Sequence, residues 1–557
     1  MAYTYKKAEV PQDWLKDPAL MGVDPLALEV LASRGFQDVK DVRAFLFPSF
    51  SDVIQNTEIK DMDRIIPILI QAIKEKQEIV VYGDYDVDGC MATAIMLENL
   101  RRFGGIAHAY SNDRMVDGYG MCPNGVDHIM KLFPETKIIM TVDNGIVAFD
   151  GIDHAKKLGV TVLVTDHHEP GDKLPAADAV VDPKRKDEIY PYHDLCGAGL
   201  ALKIMFALSK AMHRDLNFVA QSADLAAMAT VADVVPTIGE NRAIIKEGLK
   251  LINDGVRPAF RVLSAVKNIT RVTAHETLAF TYGPMINAVS RMGKDTSRVV
   301  KMFLSEDLSY LADEVLWLDH INDARKEETS REMEYVETLI EEGSVPNAIV
   351  AYHKDFQEGI VGIVAGRLKS RYHCPAVVFA PAEDGLIKAS ARSMPGLNIR
   401  AGLECMSDLF VNFGGHAMAA GLTIHEKDYD EFCRRFCEMV DREMDVSKND
   451  VDTPIDLVRS SSQISTEDVR GLTILEPYGE GFREPMVGVI ADVEDVFYMG
   501  SEKQHVKYKD PYLSIITWNG GDAARARTHP PKKFVGHLSL NEFRGSVSVQ
   551  LITDQEN

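Results

Sequence analysis

The chain has 557 residues, a formal charge of −23 at pH 7 and a pI near 5.2. At roughly 100–200 residues per domain, this length corresponds to several packing units and excludes a single small binding module. Hydrophobic residues make up 46% and charged residues 26%, which excludes extensive disorder, collagen and a disulfide-dense miniprotein. Because the net charge repels polyanions, a nucleic-acid substrate would require a local basic surface or metal ions.

The cysteine pattern and the absence of long apolar runs predict a cytoplasmic protein. No pair among the seven cysteines has the C-x-x-C spacing of a zinc or redox site. No apolar run approaches the ~20 residues that span a bilayer. Residues 1–14 lack the apolar core of a signal peptide. We therefore expect a protein that remains in a reducing compartment and has no membrane association.

After an N-terminal segment at 1–45, strands and helices alternate. Short apolar runs predict strands at 78–83, 106–110, 137–142 and 160–165. Helical patterns lie between them at 90–103, 125–133 and 147–158, and further helices follow over 194–252. This alternation predicts an α/β domain at 46–300, built on a parallel doubly wound sheet with helices on both faces.

The rest of the chain predicts three further units. Residues 303–342 contain no Pro or Gly and exceed an ordinary helix length, which predicts a connecting helix within 301–345. A strand from 347, a helix at 361–371 and a strand at 375–380 predict a smaller α/β domain at 346–447. After a charged stretch, alternating runs predict a small β-barrel at 448–557, with strands within 487–497, 512–518, 534–540 and 546–552.

Acidic residues and two adjacent histidines follow the predicted strands of the first domain. The first strand leads into Asp84, Asp86 and Asp88, the third into Asp143, the fourth into Asp166, His167 and His168, and a fifth apolar run into Asp182. In an open parallel sheet, ligands bind at the carboxyl ends of the strands. We therefore expect these side chains to meet at one edge of the sheet.

Clustered carboxylates repel one another unless cations lie between them. Oxygen and imidazole ligands favour Mn²⁺ or Mg²⁺ over a thiolate zinc site. Two such ions ~3.5–4 Å apart would clamp a phosphodiester and generate hydroxide near neutral pH. Asp is also common in turns and helix caps, but that explanation does not account for several acidic strand ends with a His-His pair. The pattern predicts metal-dependent hydrolytic phosphoryl transfer.

These motifs resemble the DHH phosphoesterases, a family named for the triplet found here at 166–168. Similar segments continue in the order of the family's single-strand-specific exonucleases: 80–89, 141–146, 229–242, 283–293, 359–368, 388–396, 413–421, 475–485 and 538–545. The resemblance covers nearly the whole chain. It implies a DHH catalytic domain, a DHH-associated domain, a C-terminal OB-fold, and a 5′-to-3′ exonuclease that hydrolyses single-stranded DNA in repair and recombination.

The resemblance assigns roles at the metal site. It implies that the metal ligands are Asp84, Asp86, Asp88, Asp143, His167 and Asp233, with Asp143 bridging two ions. His168 would contact the scissile phosphate or assist the leaving oxygen, and Asp166 would orient an imidazole. Tyr82 stands where many smaller members of the family have a metal-binding His, which leaves the ligand set of one ion open. Asp182 stands in place of an Asn, so we treat it as peripheral.

The resemblance also implies substrate contacts in both α/β domains. Ser390 and Arg392 match positions that hold a terminal 5′ phosphate, and an Arg fork suits that charge. Further implied contacts are Asn287, Arg291, Gly414, Gly415 and His416. The glycines would let the backbone approach a phosphate. Met285 replaces an Arg that we expect in the family, which removes one phosphate contact.

The C-terminal unit resembles an OB-fold, which binds single strands through a basic groove and stacked aromatic rings. Its candidate nucleic-acid contacts are Lys503, Lys507, Tyr508, Phe543 and Arg544, and His505 and Lys509 lie in the same basic cluster. A narrow cleft between the lobes would admit one strand, and phosphate contacts would make cleavage sequence-independent and salt-sensitive. None of these motifs encodes recognition of the 2′-OH that distinguishes RNA from DNA.

The resemblance implies that the chain is monomeric, with single-stranded DNA as its substrate and with a single-strand-binding protein and a RecQ-like helicase as partners. One alternative is a DHH phosphodiesterase for cyclic dinucleotides or short oligonucleotides, against which the length and the extra C-terminal domain argue. Another is a non-catalytic scaffold that has lost its metal ligands, against which the intact Asp and His set argues. A manganese pyrophosphatase is less consistent, because such chains look much shorter.

Overall fold

The computed structural model describes residues 3–112, 120–341, 347–444 and 453–553. Its N-terminal segment contains β1 (Tyr3–Tyr5), α1 (Gln12–Leu15), α2 (Pro25–Ser33) and α3 (Val39–Leu46). None of the helices in the described ranges combines the length and the hydropathy needed to cross a membrane.

The first domain begins with an α/β unit, and the expected strand–helix alternation is confirmed. Its elements are α4 (Phe50–Gln55), α5 (Met62–Glu75), β2 (Glu78–Gly83), α6 (Val87–Arg102), β3 (Ile106–Ser111), α7 (Pro123–Leu132), β4 (Thr136–Val142), α8 (Phe149–Lys157), β5 (Thr161–Thr165) and β6 (Ala179–Val181). The sheet order is β3-β2-β4-β5-β6, and every pair is parallel. All carboxyl ends therefore lie at one edge.

A helical layer completes this domain. It consists of α9 (Gly197–Ala211), α10 (Leu216–Ala220), α11 (Ala223–Ala232), α12 (Gly239–Asn253), α13 (Pro258–Val266), a π-helix (Ala274–Tyr282), α14 (Gly283–Arg291) and α15 (Ser297–Leu304). Helix α11 is fully buried between α6, α9 and α12 over most of its length. This packing holds the end of α11, where Asp233 is the C-cap, against the sheet edge.

Burial on both sheet faces explains the continuous apolar strands. On β2, Ile79 and Val81 join the core beneath α5, α6 and α9, whereas Val80 and Tyr82 join the core beneath α7 and α8. A strand buried on both faces has no solvent-facing side, so its sequence is an unbroken apolar run. The turn into α6 is tight, because a Cβ at Gly89 would lie 2.4 Å from the carbonyl oxygen of Asp84.

The connecting helix starts later than the sequence predicts. It is α16 (Leu308–Glu341), and the predicted start within 301–307 is wrong because α15 ends at Leu304. Ser305 is extended, with φ −86° and ψ 143°, and the Asp307 carboxylate accepts from Ser309 N at 2.9 Å. These two residues end one helix and cap the next without Pro or Gly. The predicted positions 342–345 lie outside the described residues.

The smaller domain has a five-stranded mixed sheet. It contains β7 (Ile349–Tyr352), α17 (Glu358–Tyr372), β8 (Ala376–Pro381), β9 (Leu386–Arg392), α18 (Ile399–Glu404), β10 (Phe410–Gly415), β11 (Ala419–His425) and α19 (Tyr429–Glu443). The strand order is β10-β11-β9-β8-β7, in which only β7 and β8 are parallel. Helix α17 packs on β8 and β9 and also contacts α14 and α16, so it joins the two lobes.

The C-terminal domain is a seven-stranded mixed sheet. Its elements are β12 (Thr453–Ile455), β13 (Leu457–Ser460), α20 (Thr466–Leu472), β14 (Val487–Ile490), β15 (Asp495–Met499), β16 (His505–Lys509), β17 (Leu513–Thr517), α21 (Gly521–Ala526), β18 (Lys533–Phe543) and β19 (Ser546–Thr553). The order is β13-β14-β18-β19-β17-β16-β15, and β12 pairs separately with β1. The run 487–497 is two strands, β14 and β15, rather than one.

The N-terminal segment is part of the C-terminal domain in space. Trp14, Leu28 and Leu46 share one hydrophobic core with residues of the seven-stranded sheet. Arg242 on α12 ties this unit to the first domain, because its buried guanidinium donates to the carbonyl oxygens of Phe45, Leu475, Glu476 and Pro477 at 2.7–2.9 Å. The sequence predicts a separate N-terminal segment at 1–45, but in the structure its helices pack on the C-terminal domain and share its core.

Candidate metal centre

The carboxyl edge of the parallel sheet brings the predicted metal-site residues together. Three overlapping groups each have donor atoms within 4.8 Å of one another: Asp143, His167 and His168; Asp88, His167 and Asp233; and Asp84, Asp86 and Asp143. The ends of β2, β4 and β5 supply most of these residues, the first turn of α6 supplies Asp88, and the C-cap of α11 supplies Asp233. The structure therefore gathers all six predicted ligands in one cluster of carboxylate and imidazole donors.

His167 lies at the centre of this cluster. Its Nε2 atom is 3.0 Å from Asp143 Oδ1, 3.6 Å from Asp88 Oδ2 and 3.7 Å from Asp233 Oδ2. Asp143 belongs to two of the three donor groups, one on the His167 side and one with Asp84 and Asp86. A carboxylate shared by two groups is placed to bridge two ions.

Local backbone geometry positions the two most buried acids among the six predicted ligands. Asp143 follows β4 with φ 61°, a left-handed conformation that turns its side chain towards α9. A Cβ at Gly197 would lie 2.6 Å from the Asp143 Cβ, so this approach requires glycine. The Asp88 carboxylate accepts from Gly197 N at 2.5 Å and from Ala198 N at 2.7 Å, at the N-terminus of α9. These bonds fix the carboxylate that the helix dipole also stabilises.

The buried acids have raised pKa values. Burial raises the pKa of Asp143 well above its usual value, and the surrounding carboxylates, Asp88 first, raise it further. Burial likewise raises the pKa of Asp88, and it raises that of Asp233 to about 8. For the His167 imidazole, burial lowers the pKa and favours the neutral ligand form. A divalent cation between these carboxylates would remove the repulsion that opposes their ionisation. The donor set therefore fits Mn²⁺ or Mg²⁺.

Asp166 orients the second histidine. Its Oδ1 atom accepts from His168 Nδ1 at 2.7 Å, and its Oδ2 atom accepts from Ile146 N at 2.9 Å. Burial disfavours the imidazolium of His168, yet the hydrogen bond and charge of Asp166 raise its pKa to about 9. Burial alone would raise the pKa of Asp166, but the hydrogen bond and the charge of His168 lower it below its usual value. At the partly exposed rim, the raised pKa of His168 favours its protonated form.

Two neighbouring residues lie outside these three groups. Tyr82 is fully buried, and its hydroxyl contacts Asn112 and the carbonyl oxygen of Gly120 rather than the acidic cluster. Asp182 is buried, and its Oδ1 atom accepts from Lys184 N at 2.8 Å. Burial raises the pKa of Asp182 to about 7.

The predicted substrate residues of the two lobes have partners within their own domains, except Arg291, which reaches across the lobe boundary. Arg392 donates to Ser390 Oγ at 2.7 Å, and both side chains adjoin Gly362 on α17. Asn287 accepts from Val87 N, between two of the acidic residues, at 3.2 Å. Arg291 donates to the carbonyl oxygen of Gly359 at 3.3 Å, across the lobe boundary. Met285, by contrast, is fully buried in the helical layer.

The glycine-rich turn of the smaller domain joins β10 and β11. Gly415 has φ 147°, and a Cβ there would lie 2.4 Å from the carbonyl oxygen of Ala419, so this position requires glycine. Gly414 and His416 are exposed, and His416 N donates to the carbonyl oxygen of Ala419 at 2.8 Å. The His416 side chain is therefore presented on a tight, exposed turn.

In the C-terminal domain, one predicted nucleic-acid contact is wrong. Tyr508 is 1% exposed and packs on Phe534 in the core, because alternation along β16 turns it inward. Lys507 faces outward and pairs across strands with Phe497, which is 50% exposed and which the sequence did not single out. Phe543 is 64% exposed, and Arg544 lies 5.2 Å from its ring centroid. Lys503 is exposed in the turn before β16.

Family models match three parts of the chain. The model described as "DHH family, N-terminal domain" matches residues 78–230, "DHHA1 domain" matches 346–442, and "RecJ OB domain" matches 455–555. These ranges correspond to the parallel sheet with part of the helical layer, the smaller mixed-sheet domain and the seven-stranded domain.

Similar proteins extend over nearly the full length. The single-stranded-DNA-specific exonuclease RecJ of Salmonella typhimurium is 33% identical, with 98% of this chain and 96% of that protein covered. The protein of the same name from Escherichia coli is 34% identical, with 95% of each chain covered.

Solved structures show the same architecture. RecJ from Thermus thermophilus in complex with Mn²⁺ has a TM-score of 0.84 and 25% identity, with 100% of this chain and 79% of that chain covered. An exonuclease RecJ bound to manganese has a TM-score of 0.60 and 30% identity, with 69% of this chain and 95% of that chain covered. The full-length similarity above 30% identity and the three ordered domain matches agree with the metal centre and the fold, and this chain belongs to the RecJ family of DHH phosphoesterases.

Proposed function

We propose that this chain is a metal-dependent exonuclease that hydrolyses single-stranded DNA from the 5′ end. The observation that carries the proposal is the set of three overlapping donor groups at the sheet edge. It occurs in a chain that is similar to RecJ proteins over nearly its whole length. That similarity includes the OB domain, which argues against a phosphodiesterase restricted to short oligonucleotides.

We propose that Asp84, Asp86 and Asp143 hold one divalent cation and that Asp88, His167, Asp233 and Asp143 hold a second. The cations, Mn²⁺ or Mg²⁺, would supply charge stabilisation to the phosphodiester and an activated water. The protein contributes a buried, preorganised cluster in which Asp143 is common to both ions. Binding is expected to keep these acids ionised, against the effect of burial on their pKa values.

We propose that the second histidine acts on the substrate. Asp166 holds His168 at 2.7 Å and favours its protonated form. A positively charged imidazole at the rim can donate a hydrogen bond to a scissile phosphate oxygen or to the leaving oxygen. We therefore propose His168 as a catalytic residue and Asp166 as its positioning residue.

The direction of hydrolysis follows from the proposed end pocket. Ser390 and Arg392 form a hydrogen-bonded pair, beside Gly362, that suits a terminal 5′ phosphate. We propose that Asn287, Arg291, the turn at Gly414 and Gly415, and His416 guide the strand between the lobes. In the OB domain, Lys503, Lys507, Phe543 and Arg544 would contact the strand further along. Phosphate contacts carry little sequence information, so cleavage should be sequence-independent and salt-sensitive.

The resemblance supports further proposals about the setting of the reaction. We propose that the chain acts in DNA repair and recombination in the cytoplasm, as a monomer. A single-strand-binding protein and a RecQ-like helicase would be its functional partners, since one covers the substrate and the other produces it.

The test is hydrolysis of a long single strand labelled at its 3′ end in the presence of Mn²⁺. Progressive shortening from the 5′ end is expected, with blunt duplex left intact. Asp143→Asn should reduce the rate at least about 100-fold, because both donor groups lose their shared carboxylate. Asp150→Asn, which changes an exposed acid on α8, serves as the matched control and should retain full activity.

Other outcomes would redirect the assignment. An intact long strand together with hydrolysis of dinucleotides would indicate a small-nucleotide phosphodiesterase. No hydrolysis of either substrate, combined with no Mn²⁺ binding at millimolar concentration, would indicate a non-catalytic scaffold.

A further inference from the structure

A cavity of about 210 Å³ lies where the catalytic domain, the connecting helix and the smaller domain meet. Its wall includes Asn287 and Arg291 from α14, Arg325 from α16 and Ile363 from α17. The sequence motifs single out Asn287 and Arg291 but not Arg325. Arg325 lies in the middle of α16, for which the sequence predicts only a connecting role.

The cavity adjoins both parts of the proposed active site. On one side its wall contains Ala232, the residue before Asp233, and Asn287 is hydrogen-bonded to the backbone of the acidic turn at Val87. On the other side, the wall contains Ile363, the residue after Gly362 on α17. Gly362 lies against the proposed end pocket, because a Cβ added to it would be 3.2 Å from Ser390 Oγ and 3.2 Å from Arg392 Nη2. The cavity therefore lies between the metal centre and the proposed end pocket.

Arg325 is a buried side chain with an unused donor. It is 8% exposed, and its Nη2 atom donates to Asn322 Oδ1 at 2.8 Å. Its Nε atom is buried and has no hydrogen-bond partner in the part of the chain that the structure describes. Burial lowers the pKa of Arg325, and the nearby positive charge of Arg367 lowers it further, while the negative charge of Asp323 opposes these effects only in part. An anion in the cavity would offset both effects.

The other buried arginines of the described residues are partnered by the protein: Arg242 donates to four backbone carbonyl oxygens, and two more are paired with carboxylates. Arg257 forms ion pairs with Asp224 at 2.7 Å and Glu98 at 3.1 Å. Arg185 pairs with Asp61 at 3.1 Å and Asp187 at 3.0 Å. Among the described residues, no carboxylate lies within ion-pair distance of Arg325. A buried guanidinium without a counterion, at the wall of a cavity, is the arrangement expected of a binding group for an external anion.

We propose that Arg325, together with Arg291, binds a non-scissile backbone phosphate of the single strand. This inference rests on the proposed function, because it assumes a strand that passes between the lobes. The planar fork of a guanidinium suits two phosphate oxygens, and Arg291 supplies a second cation to the same cavity. Since such a contact positions the backbone without reading bases, Arg325 is a substrate-positioning residue.

The test compares Arg325→Gln with Lys326→Gln. The control removes one positive charge from the next residue, which is exposed and paired with Asp323. Arg325→Gln should raise the KM for single strands about 10-fold and change kcat less than about 3-fold, whereas the control should change neither. Strands that carry one neutral methylphosphonate linkage at successive positions identify the contact. The wild-type protein should lose about 10-fold in kcat/KM at one non-scissile position, and Arg325→Gln should no longer discriminate that position.

Two results would overturn the inference. One is an equal loss of kcat/KM for the wild-type protein and Arg325→Gln at every non-scissile methylphosphonate linkage. The other is a wild-type protein whose kcat/KM falls only when the scissile or terminal phosphate is neutral. If Arg325→Gln does not fold, Arg325→Lys replaces it. This variant keeps the charge but loses the fork, and an intermediate KM is expected, whereas an unchanged KM would count against the contact. If the wild-type protein hydrolyses no single strand in Mn²⁺, the proposed function fails instead.

Discussion

At the scale of single residues, neighbouring side chains in this molecule have different partners. His167 points its Nε2 atom into the acidic cluster, and His168 turns to Asp166 at the rim. The raised pKa of His168 and the lowered pKa of His167 show how environment separates two identical side chains. These shifts favour the neutral form of His167 and the protonated form of His168, which fits the proposed roles of one as a ligand and the other as a hydrogen-bond donor.

The proposed end pocket gives a prediction at this scale. Arg392→Gln should lower kcat/KM about 10- to 100-fold on strands with a 5′ phosphate, since a charge-assisted bond of about 1.5–3 kcal/mol is lost. Strands with a 5′-hydroxyl should change less than about 3-fold. Competition between the two strand types measures the preference. Arg434→Gln, an exposed cation on α19 of the same domain paired with Glu431, is the matched control. Equal losses on both strand types would contradict the pocket.

The position of the metal-site residues could be predicted because it depends on a local pattern, an acidic residue that follows an apolar strand. Most acids of the metal cluster closely follow a buried strand, so chain position alone places them at the sheet edge. Tyr508 was misplaced because its neighbours in the basic segment suggested a surface, whereas alternation along β16 turns it into the core. No local signal marks Arg325, since its burial depends on α14 and α17 packing against α16.

At the scale of elements, α16 carries a buried acid that makes stability depend on pH. Glu332 is fully buried, and its Oε1 atom accepts from Gln357 N at 2.8 Å. Burial raises the pKa of Glu332 from 4.5 to about 7, with a further contribution from Glu328. Because the folded state binds this proton more tightly than the unfolded state, the free energy of unfolding falls as pH rises from about 4.5 to about 7.

Glu332→Gln should remove this dependence. Gln stays neutral and can still accept from Gln357 N, so the variant should gain about 2–3 kcal/mol relative to the wild-type protein between pH 5 and pH 8. Urea unfolding at both pH values measures the change. Glu334→Gln, on the exposed face of the same helix, should show no such gain. A difference between wild type and Glu332→Gln that is constant with pH would show that Glu332 ionises normally in the folded state.

Helix and strand boundaries were predictable where Pro, Gly or apolar periodicity marks them. The break between α15 and α16 escaped because Ser305 and Asp307 end and cap helices through side-chain hydrogen bonds, which leave the apolar pattern unbroken. The alternating run 487–497 likewise contains no sequence signal for the break between β14 and β15. Only the tertiary structure shows that β14 and β15 lie far apart in the sheet order.

At the scale of the whole molecule, Arg242 joins three parts of the chain. Its buried guanidinium contacts the N-terminal segment through Phe45 and the C-terminal domain through Leu475, Glu476 and Pro477. It also lies 3.8 Å from the Phe45 ring centroid and 5.6 Å from that of Phe482. Burial lowers its pKa to about 9, an effect that the four carbonyl contacts oppose by solvating the charge.

Arg242→Gln should destabilise the protein by at least about 3 kcal/mol, because several buried carbonyl groups lose their donor. The comparison is Arg271→Gln, which breaks an exposed ion pair to Glu476 at the same interface and should cost under about 1 kcal/mol. Denaturant unfolding monitored by tryptophan fluorescence measures both, since Trp14 lies in the shared core. Similar small effects of both changes would show that this guanidinium does not hold the domains together.

The pairing of β1 with β12 joins positions that are far apart in the chain: Tyr3 pairs with Thr453, 450 positions later. At roughly 5–20 residues per second, a ribosome needs about 20–90 s to synthesise the intervening chain. Throughout that time Trp14, Leu28 and Leu46 have emerged, while the sheet that covers them does not yet exist. These helices thus complete their packing only after the seven-stranded sheet has been made. During synthesis this molecule therefore exposes an apolar surface that chaperones can bind until the strands up to β19 have been translated.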